Sequence, residues 1–424
     1  MSSSNESAAL SRLIRAVGTR DAAPRWQAAR ACIGTERAAV LERLRARPDS
    51  PVYGFTTLLG PLDSRSADEL TPAEILESHL VGTPVTLPPF WRHAIHGAKL
   101  EQMSHGGSGV SIESFDAVLG AFGQQRTLEM DLSASYGSGD VVPGCWWVAG
   151  VLGRAPKPRG DLIALMNGSF VGLGISLGAV LRLEQHLPEA LAVLLSRGRV
   201  QTGTTAGGDR ELLELLKPLQ RRGCGTVQLP VSLRNAGASI LPLIAATAAA
   251  ETAIAARLGA PSANPLFLLR NGEAEAFSQS SFLSLDVRFA LEGLISATVM
   301  LGGLMQRALE SHHDRGADGI DTAQVSLIQP AKVVHALYLE MLGSIAPYGF
   351  VGVMSGGVED LWDGVLYRAR QLDALVSLLE RQLSVIRDVV GAARGVDLVR
   401  DALSRRLQGT ALDVDFGALP PLPR

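Results

Sequence analysis

The stretch QLDALVSLLERQLSVIRDVV, residues 371–390, places Leu372, Leu375, Val376, Leu379, Leu383, Ile386 and Val390 on one stripe at helical spacing, with Arg381, Arg387 and Asp388 off it. A stripe of that length is buried best against other helices, and the chain supplies them. Helical patterns cover 161–187, 188–197, 210–219, 236–258, 282–312 and 323–342. Nearer the start, Leu10, Leu13, Ile14 and Val17 share a face, and a helix over 23–46 is ended by Pro48 and Pro51. Thr71-Pro72-Ala73-Glu74 reads as a helix start, with Thr71 as cap and Pro72 in the first turn. Between these lie a Gly-flanked loop, YGFTTLLG at 53–60, breaks at Pro84, Pro88 and Pro89, and a small, polar, glycine-rich loop at 132–144. The pattern predicts a mainly α protein, with an irregular loop-carrying portion at 1–160 running into a long-helix portion at 161–424.

Composition agrees. Of 424 residues, 46% are apolar and 19% charged, which supports a large core and excludes global disorder. Aromatics are only 5%, so the core is built from Ala, Leu, Val and Ile, as packed helices allow. A net charge of −3 offers no field for nucleic acid or anionic lipid. Lysine is confined to Lys99, Lys157, Lys217 and Lys332. Three scattered cysteines, Cys32, Cys145 and Cys224, make neither a disulfide framework nor a zinc site and fit a reducing cytoplasm. MSSSNES carries no basic region followed by an apolar stretch, so no secretory signal is expected. The longest uncharged apolar runs, near 238–250 and 293–305, fall short of the roughly 20 residues of a membrane span. Buried helices of a soluble body, with no membrane and no nucleic acid as partner, are the expectation.

Candidate chemistry sits in the loops. Ser135-Tyr136-Gly137-Ser138-Gly139-Asp140 is, at its plainest, a tight turn. In a compressed X-Ser-Gly turn, however, the glycine nitrogen can attack the carbonyl carbon of X. Loss of water then leaves a five-membered ring with a methylidene derived from the serine, a strong electrophile. Glycine is needed third because only an unhindered amide approaches so closely. Tyr53 is either structural or, on a lid loop with a lowered pKa, a general base. Arg234 is either a surface charge or a fork for a carboxylate. Asn167-Gly168 is either a helix kink or a buried orienting amide. Glu359-Asp360 follows Gly356-Gly357 and reads as a helix start, where acids favour the dipole. His93 with His96, and His312-His313 beside Asp314, lack a third ligand, so no metal is assigned. Residues 203–208 (GTTAGG) lack the Lys-Ser/Thr of a P-loop and read as a connector.

The order of these segments is more specific than any of them. Tyr53-Gly54, Ser78-His79, Gly137-Ser138-Gly139-Asp140, Leu165-Met166-Asn167-Gly168, Gln228 to Arg234, Asn264-Pro265-Leu266, Ser281-Phe282 and Glu359-Asp360 follow one another so that residues 20 to 370 resemble the aromatic amino acid ammonia-lyases, histidine ammonia-lyase most closely. The family includes aminomutases and carries a self-made 4-methylidene-imidazol-5-one. The resemblance implies the elongated helical bundle of the histidine ammonia-lyase/fumarase-like type, and a homotetramer whose active sites draw on more than one chain. It implies Gly137-Ser138-Gly139 as the cyclising triplet, Tyr53 as the base for the β-proton, and Asn167 as the amide supporting electrophile and substrate carboxylate. It further implies Gln228 and Arg234 as substrate-binding residues, Arg234 on the carboxylate, Phe282 beside the prosthetic group, and His79 and Glu359 at a polar ring.

The departures are as specific. Gly137 stands where the family has Ala, which leaves cyclisation possible but loosens the backbone. Val231 and Leu229 replace the tyrosine and aspartate of a QDPYSLR-like segment. Thr56 replaces Asn in the lid loop, Ser281 and Leu283 replace Asn and His around Phe282, and Leu361 replaces His after Glu359-Asp360. The expected function is an ammonia-lyase-like enzyme acting on an amino acid or related amine with a polar ring. The alternatives are the same fold without the electrophile, serving a less polar ligand in specialised biosynthesis, and a non-enzymatic relative with a decayed site.

Overall fold

The computed structural model describes residues 23–122, 124, 127–155, 157–203, 205, 207–220, 229–310, 322–345, 351–407 and 422. The helical face around Leu10, Gln228 and the pair His312-His313 lie outside the described residues.

Before residue 160 the chain is more regular than its prolines and glycines suggest. Helices α1 (Ala23–Ala46), α2 (Pro72–His79), α3 (Pro89–Ser104), α4 (Ile112–Ala121) and α5 (Val141–Leu152) occupy it, with a two-residue ladder between β1 (Val85–Thr86) and β2 (Glu129–Met130). Thr71 caps α2 as expected. Its Oγ1 accepts from Glu74 N–H at 3.2 Å, and the Glu74 carboxylate accepts from Thr71 N–H at 2.8 Å.

The pattern expected from 161 divides differently. Helix α6 (Asp161–Met166) stops at Asn167, which is extended, and Gly168 has φ +119. Helix α7 then runs unbroken over Phe170–Arg197 with Pro188 inside it. Most of α7 is buried, including every residue from Phe170 to Glu184, because α3, α10 (Gly237–Leu258), α11 (Leu285–Glu310) and α13 (Val365–Val390) pack around it. Close approach needs small residues: a Cβ on Gly174 would lie 2.6 Å from Ile95 Cα. Leu372, Leu375, Val376, Leu379, Leu383 and Ile386 of α13 are buried as the stripe predicts. Arg182 of α7 is itself wholly buried and ion-pairs with Asp373 of α13, with Ser377 Oγ at 3.2 Å. The remaining helices are α8 (Gly207–Leu216), α9 (Val231–Arg234), α12 (Thr322–Gly343) and α14 (Val396–Arg406).

Two hairpins are present that the sequence patterns did not predict. Strands β3 (Leu266–Arg270) and β4 (Glu273–Phe277) pair antiparallel across Asn271-Gly272, both at positive φ, the turn an Asn-Gly pair favours. Strand β5 (Val351–Met354) pairs with β6 (Glu359–Leu361). Glu359-Asp360 therefore lies in a strand and not at a helix start, since α13 begins only at Val365.

The helices are also longer than the uncharged apolar runs within them. Among the described residues three helical segments are long and apolar enough to cross a bilayer by length and composition: 161–197, Gly237–Leu258 and Leu285–Glu310. The expectation drawn from run length is corrected on that point. The most apolar stretch of the first segment is wholly buried in this fold. That of Gly237–Leu258 is only 33% buried, so much of its apolar surface faces outward.

Candidate active site

The glycine-rich loop before α5 is held by three separate parts of the chain. Asp363 N–H donates to the Gly137 carbonyl at 3.0 Å, and Gly168 N–H donates to the Gly139 carbonyl at 3.1 Å. Asp140 accepts from Ser135 Oγ at 2.6 Å and from Gly172 N–H at 2.9 Å. Positive φ at Gly137 (+92), Gly139 (+79) and Asp140 (+47) gives the loop its sharp course. Gly137 does not slacken it, contrary to the expectation from flexibility alone. A Cβ there would overlap Asp363 Oδ1 and the Gly364 nitrogen, so residue 363 fills the space an alanine methyl would need. Burial raises the carboxyl of Asp140. Asp363 is pushed up to about 7 by burial and then by the Asp140 charge, against the pull of the Val365 and Ser284 amides.

A cavity of about 350 Å³ opens beside this loop, and Tyr53, His79, Tyr136, Ser138, Met166 and Glu359 line it. The structure thus brings together Tyr53, His79, Ser138 and Glu359. Ser138 Oγ donates to Glu359 at 3.3 Å. Tyr53 Oη accepts from Gly60 N–H at 2.9 Å. Burial raises its phenol above the ordinary value, with the charges of Glu359 and Asp63 adding to that, so in this arrangement Tyr53 keeps its proton at neutral pH.

Asn167 stands at the opposite edge of the triplet. Its Oδ1 is buried, has no hydrogen-bond partner, and would lie 2.7 Å from a Cβ at Gly139. An orphaned acceptor is what an incoming amine or amide would satisfy, so the residues present fit a reactive group built at this triplet. Lys99 holds Asn167 from below, donating to its carbonyl at 3.0 Å and to Ala164 O at 2.8 Å. Burial alone brings the Lys99 ammonium down to about 7.

Arg234 and Phe282 do not line the cavity. Arg234 is exposed on α9 and donates to Leu229 O at 3.1 Å. Val231, where the family's tyrosine would be, is 78% exposed. Phe282 is half-buried just before α11, and nearby Ser284 N–H donates to Asp363 at 2.7 Å, one link from Gly137. Tyr136, Asp363 and Lys99 were missed by sequence reasoning. Tyr136 was visible as the one bulky residue of the loop, and Lys99 as one of four lysines in an arginine-rich chain. Asp363 had no local signal. His96, weighed for metal, is buried against Phe122 and Trp147 and bonds Val118 O at 2.8 Å.

A family model described as aromatic amino acid lyase matches residues 12–157. Histidine ammonia-lyase from Burkholderia multivorans is 25% identical over 418 residues, covering 85% of this chain and 82% of that protein. Among solved structures, tyrosine aminomutase from Streptomyces globisporus superposes with a TM-score of 0.74 at 18% identity, covering 97% of this chain and 98% of the other. Ergothionase from Treponema denticola gives 0.73 at 14% identity, covering 95% and 97%. The fold is that of these helical lyases and aminomutases. With the ordered segments around Ser138, the chain is similar to the aromatic amino acid lyases over residues 12–157 and to histidine ammonia-lyase over most of its length.

Proposed function

We propose that this protein is a carbon–nitrogen lyase or aminomutase that acts on an amino acid, or a related amine, with a polar ring. The observation that carries the reading is the clamped triplet Gly137-Ser138-Gly139 opening onto a cavity that also holds Tyr53. The methylidene-imidazolone, once made from this triplet, supplies an electrophile that turns the substrate amine into a leaving group. Asp363 N–H polarises the Gly137 carbonyl whose carbon the Gly139 nitrogen must reach. Asn167 Oδ1 orients the amine, and Tyr53 Oη removes the β-proton. A substrate cation nearby favours the phenolate and offsets the burial that holds Tyr53 protonated. His79 closes the ring end of the cavity.

The carboxylate partner Arg234, with Phe282, belongs in this reading to a site completed by neighbouring subunits. Phe289 and Met300 on α11 and Val333 and Leu339 on α12 are exposed apolar residues. Together with the outward surface of Gly237–Leu258 they offer the apolar area that a homotetramer with shared active sites would bury.

Intact-peptide mass spectrometry tests the proposal. The peptide containing Ser138 should be lighter by two waters, with matching ultraviolet difference absorption. Ser138→Ala should abolish both signals and the deamination. An intact serine in mature protein would end the lyase reading and leave the cavity to a ligand handled without the electrophile.

A further inference from the structure

The two waters that cyclisation would remove start from atoms held by different parts of the chain. Ring closure takes the first oxygen from the Gly137 carbonyl, which accepts from Asp363 N–H at 3.0 Å. The second oxygen is that of the Ser138 side chain, and this hydroxyl donates to Glu359 Oε1 at 3.3 Å. The closure is thus framed by residues 168 and 363, whereas the serine hydroxyl is held by a carboxylate that touches neither closing atom in this structure.

Glu359 is the one acid among the described residues that line the cavity. Its other oxygen is taken: Tyr136 donates to Oε2 at 2.5 Å, and Ser355 donates to the same oxygen. Pairing of Glu359 with Met354 in the β5–β6 ladder fixes its backbone. Oε1 is left facing the serine, and an ionised carboxylate offers only acceptor positions, so it is a base two bonds beyond the Ser138 Cβ. Two other titratable groups on the cavity wall are engaged elsewhere. Tyr53 Oη accepts from Gly60 N–H at 2.9 Å, and His79 Nδ1 lies 2.7 Å from the Ile75 carbonyl.

Resting on the reading that this triplet cyclises, we infer that Glu359 is the catalytic residue of the second dehydration: its carboxylate takes the Ser138 Cα proton and hands it to the departing Oγ. After ring closure that Cα is bonded to an imine nitrogen and a carbonyl carbon, which together acidify its proton. The Cα–H electron pair becomes the second bond between Cα and Cβ. The Cβ–Oγ bond breaks with its electrons on oxygen, and the proton carried by Glu359 turns the leaving hydroxide into water. Nothing is oxidised or reduced, Glu359 ends as the carboxylate it began as, and the water leaves into the cavity that Ser138 lines.

Peptide mass spectrometry of the full-length protein tests the inference, because the two waters are counted separately. The wild type should show the Ser138 peptide lighter by two waters. Glu359→Gln keeps the shape of the side chain but carries no proton in this way, so the second loss should slow about 100-fold or more. Its peptide should accumulate one water lighter, without the ultraviolet absorption of the exocyclic double bond. Glu359→Asp keeps the acid at shorter reach and should give a mixture whose second loss completes on incubation. A folded Glu359→Gln protein that has lost two waters overturns the inference. So does a folded one that has lost none, which is what a purely structural role in shaping the loop predicts. Should Glu359→Gln fail to fold, Glu359→Asp decides, and completion of both losses there at the wild-type rate overturns it. If the wild type has lost no water, the cyclisation reading fails first and takes this one with it; a normal wild type with the wrong variants sinks only the role of Glu359.

Discussion

The bundle formed by α7 and α13 and the loop at 133–140 are stabilised by opposite means. In the bundle, apolar side chains recur at helical spacing and meet their like, with Arg182 and Asp373 as a buried exception. In the loop, almost nothing is apolar. Its shape comes from positive φ angles and from polar groups that arrive from residues 168, 172, 359 and 363. Packing of the first kind tolerates repacking, whereas a clamp made of single hydrogen bonds and close contacts does not. Substitutions in the bundle should therefore act on global stability, and those in the loop on chemistry at Ser138.

The largest effect should come from Arg182→Met. It leaves Asp373 buried without its cation, at a cost of about 3–5 kcal/mol. The melting temperature should fall steeply while the mass of the Ser138 peptide in the surviving folded protein stays unchanged. A changed mass would mean that bundle and loop are not separable.

Gly137→Ala should cost about 2–4 kcal/mol, from a left-handed alanine and from overlap with Asp363 and Gly364. Here the loss of the two-water mass difference should be the dominant readout, with a smaller drop in melting temperature than Arg182→Met. Normal maturation in this variant would show that Asp363 does not shape the triplet.

Two of the buried titratable groups, Asp363 and His96, give slopes of opposite sign. Asp363, at about 7 in the fold against 3.8 unfolded, binds an extra proton in the native state across that window, so its contribution to stability is lost as pH rises from about 4 to 7. His96 is brought down to about 4 by burial against 6.5 unfolded, so its contribution is lost as pH falls from about 6.5 to 4. Asp363→Asn removes the first slope, up to about 1.4 kcal/mol per pH unit. Denaturation midpoints of that variant should rise with pH between about 4.5 and 6.5 more steeply than those of the wild type. Parallel slopes would contradict the burial of Asp363.

Gly293→Ala should have the smallest effect and the opposite sign. That glycine lies exposed inside α11, and a Cβ on it would meet nothing within 4 Å. Alanine should stabilise the helix by about 0.5–1 kcal/mol, read as a slight rise in melting temperature. Destabilisation instead would indicate that this face is closely packed in an assembly.

The same contrast governs what the sequence discloses. The stripe from Leu372 to Ile386 announces α13 because each residue needs only its neighbours at i+3 and i+4 to make the pattern. Pro188 misleads because it falls where α7 tolerates it, and the hairpin signal of Asn271-Gly272 is muted by the shortness of its flanking strands. At the site, Tyr53, His79, Ser138 and Glu359 were legible through the ordered motifs and do meet at one cavity. Asp363 and the locked Tyr136–Glu359 pair were not, because hydrogen bonds between residues so far apart leave no periodic trace in the chain. Arg234 was legible, but its distance from the cavity follows from the position of α9 and not from its motif.

The clamp on Gly137 and the grip on Ser138 come from residues 363 and 359, and the Tyr136–Glu359 contact alone spans 223 positions. On the ribosome, the loop emerges long before either partner has been translated. Any self-processing at Ser138 is therefore timed by synthesis of the last quarter of the protein, and a nascent or truncated product should carry an inert serine until that segment arrives.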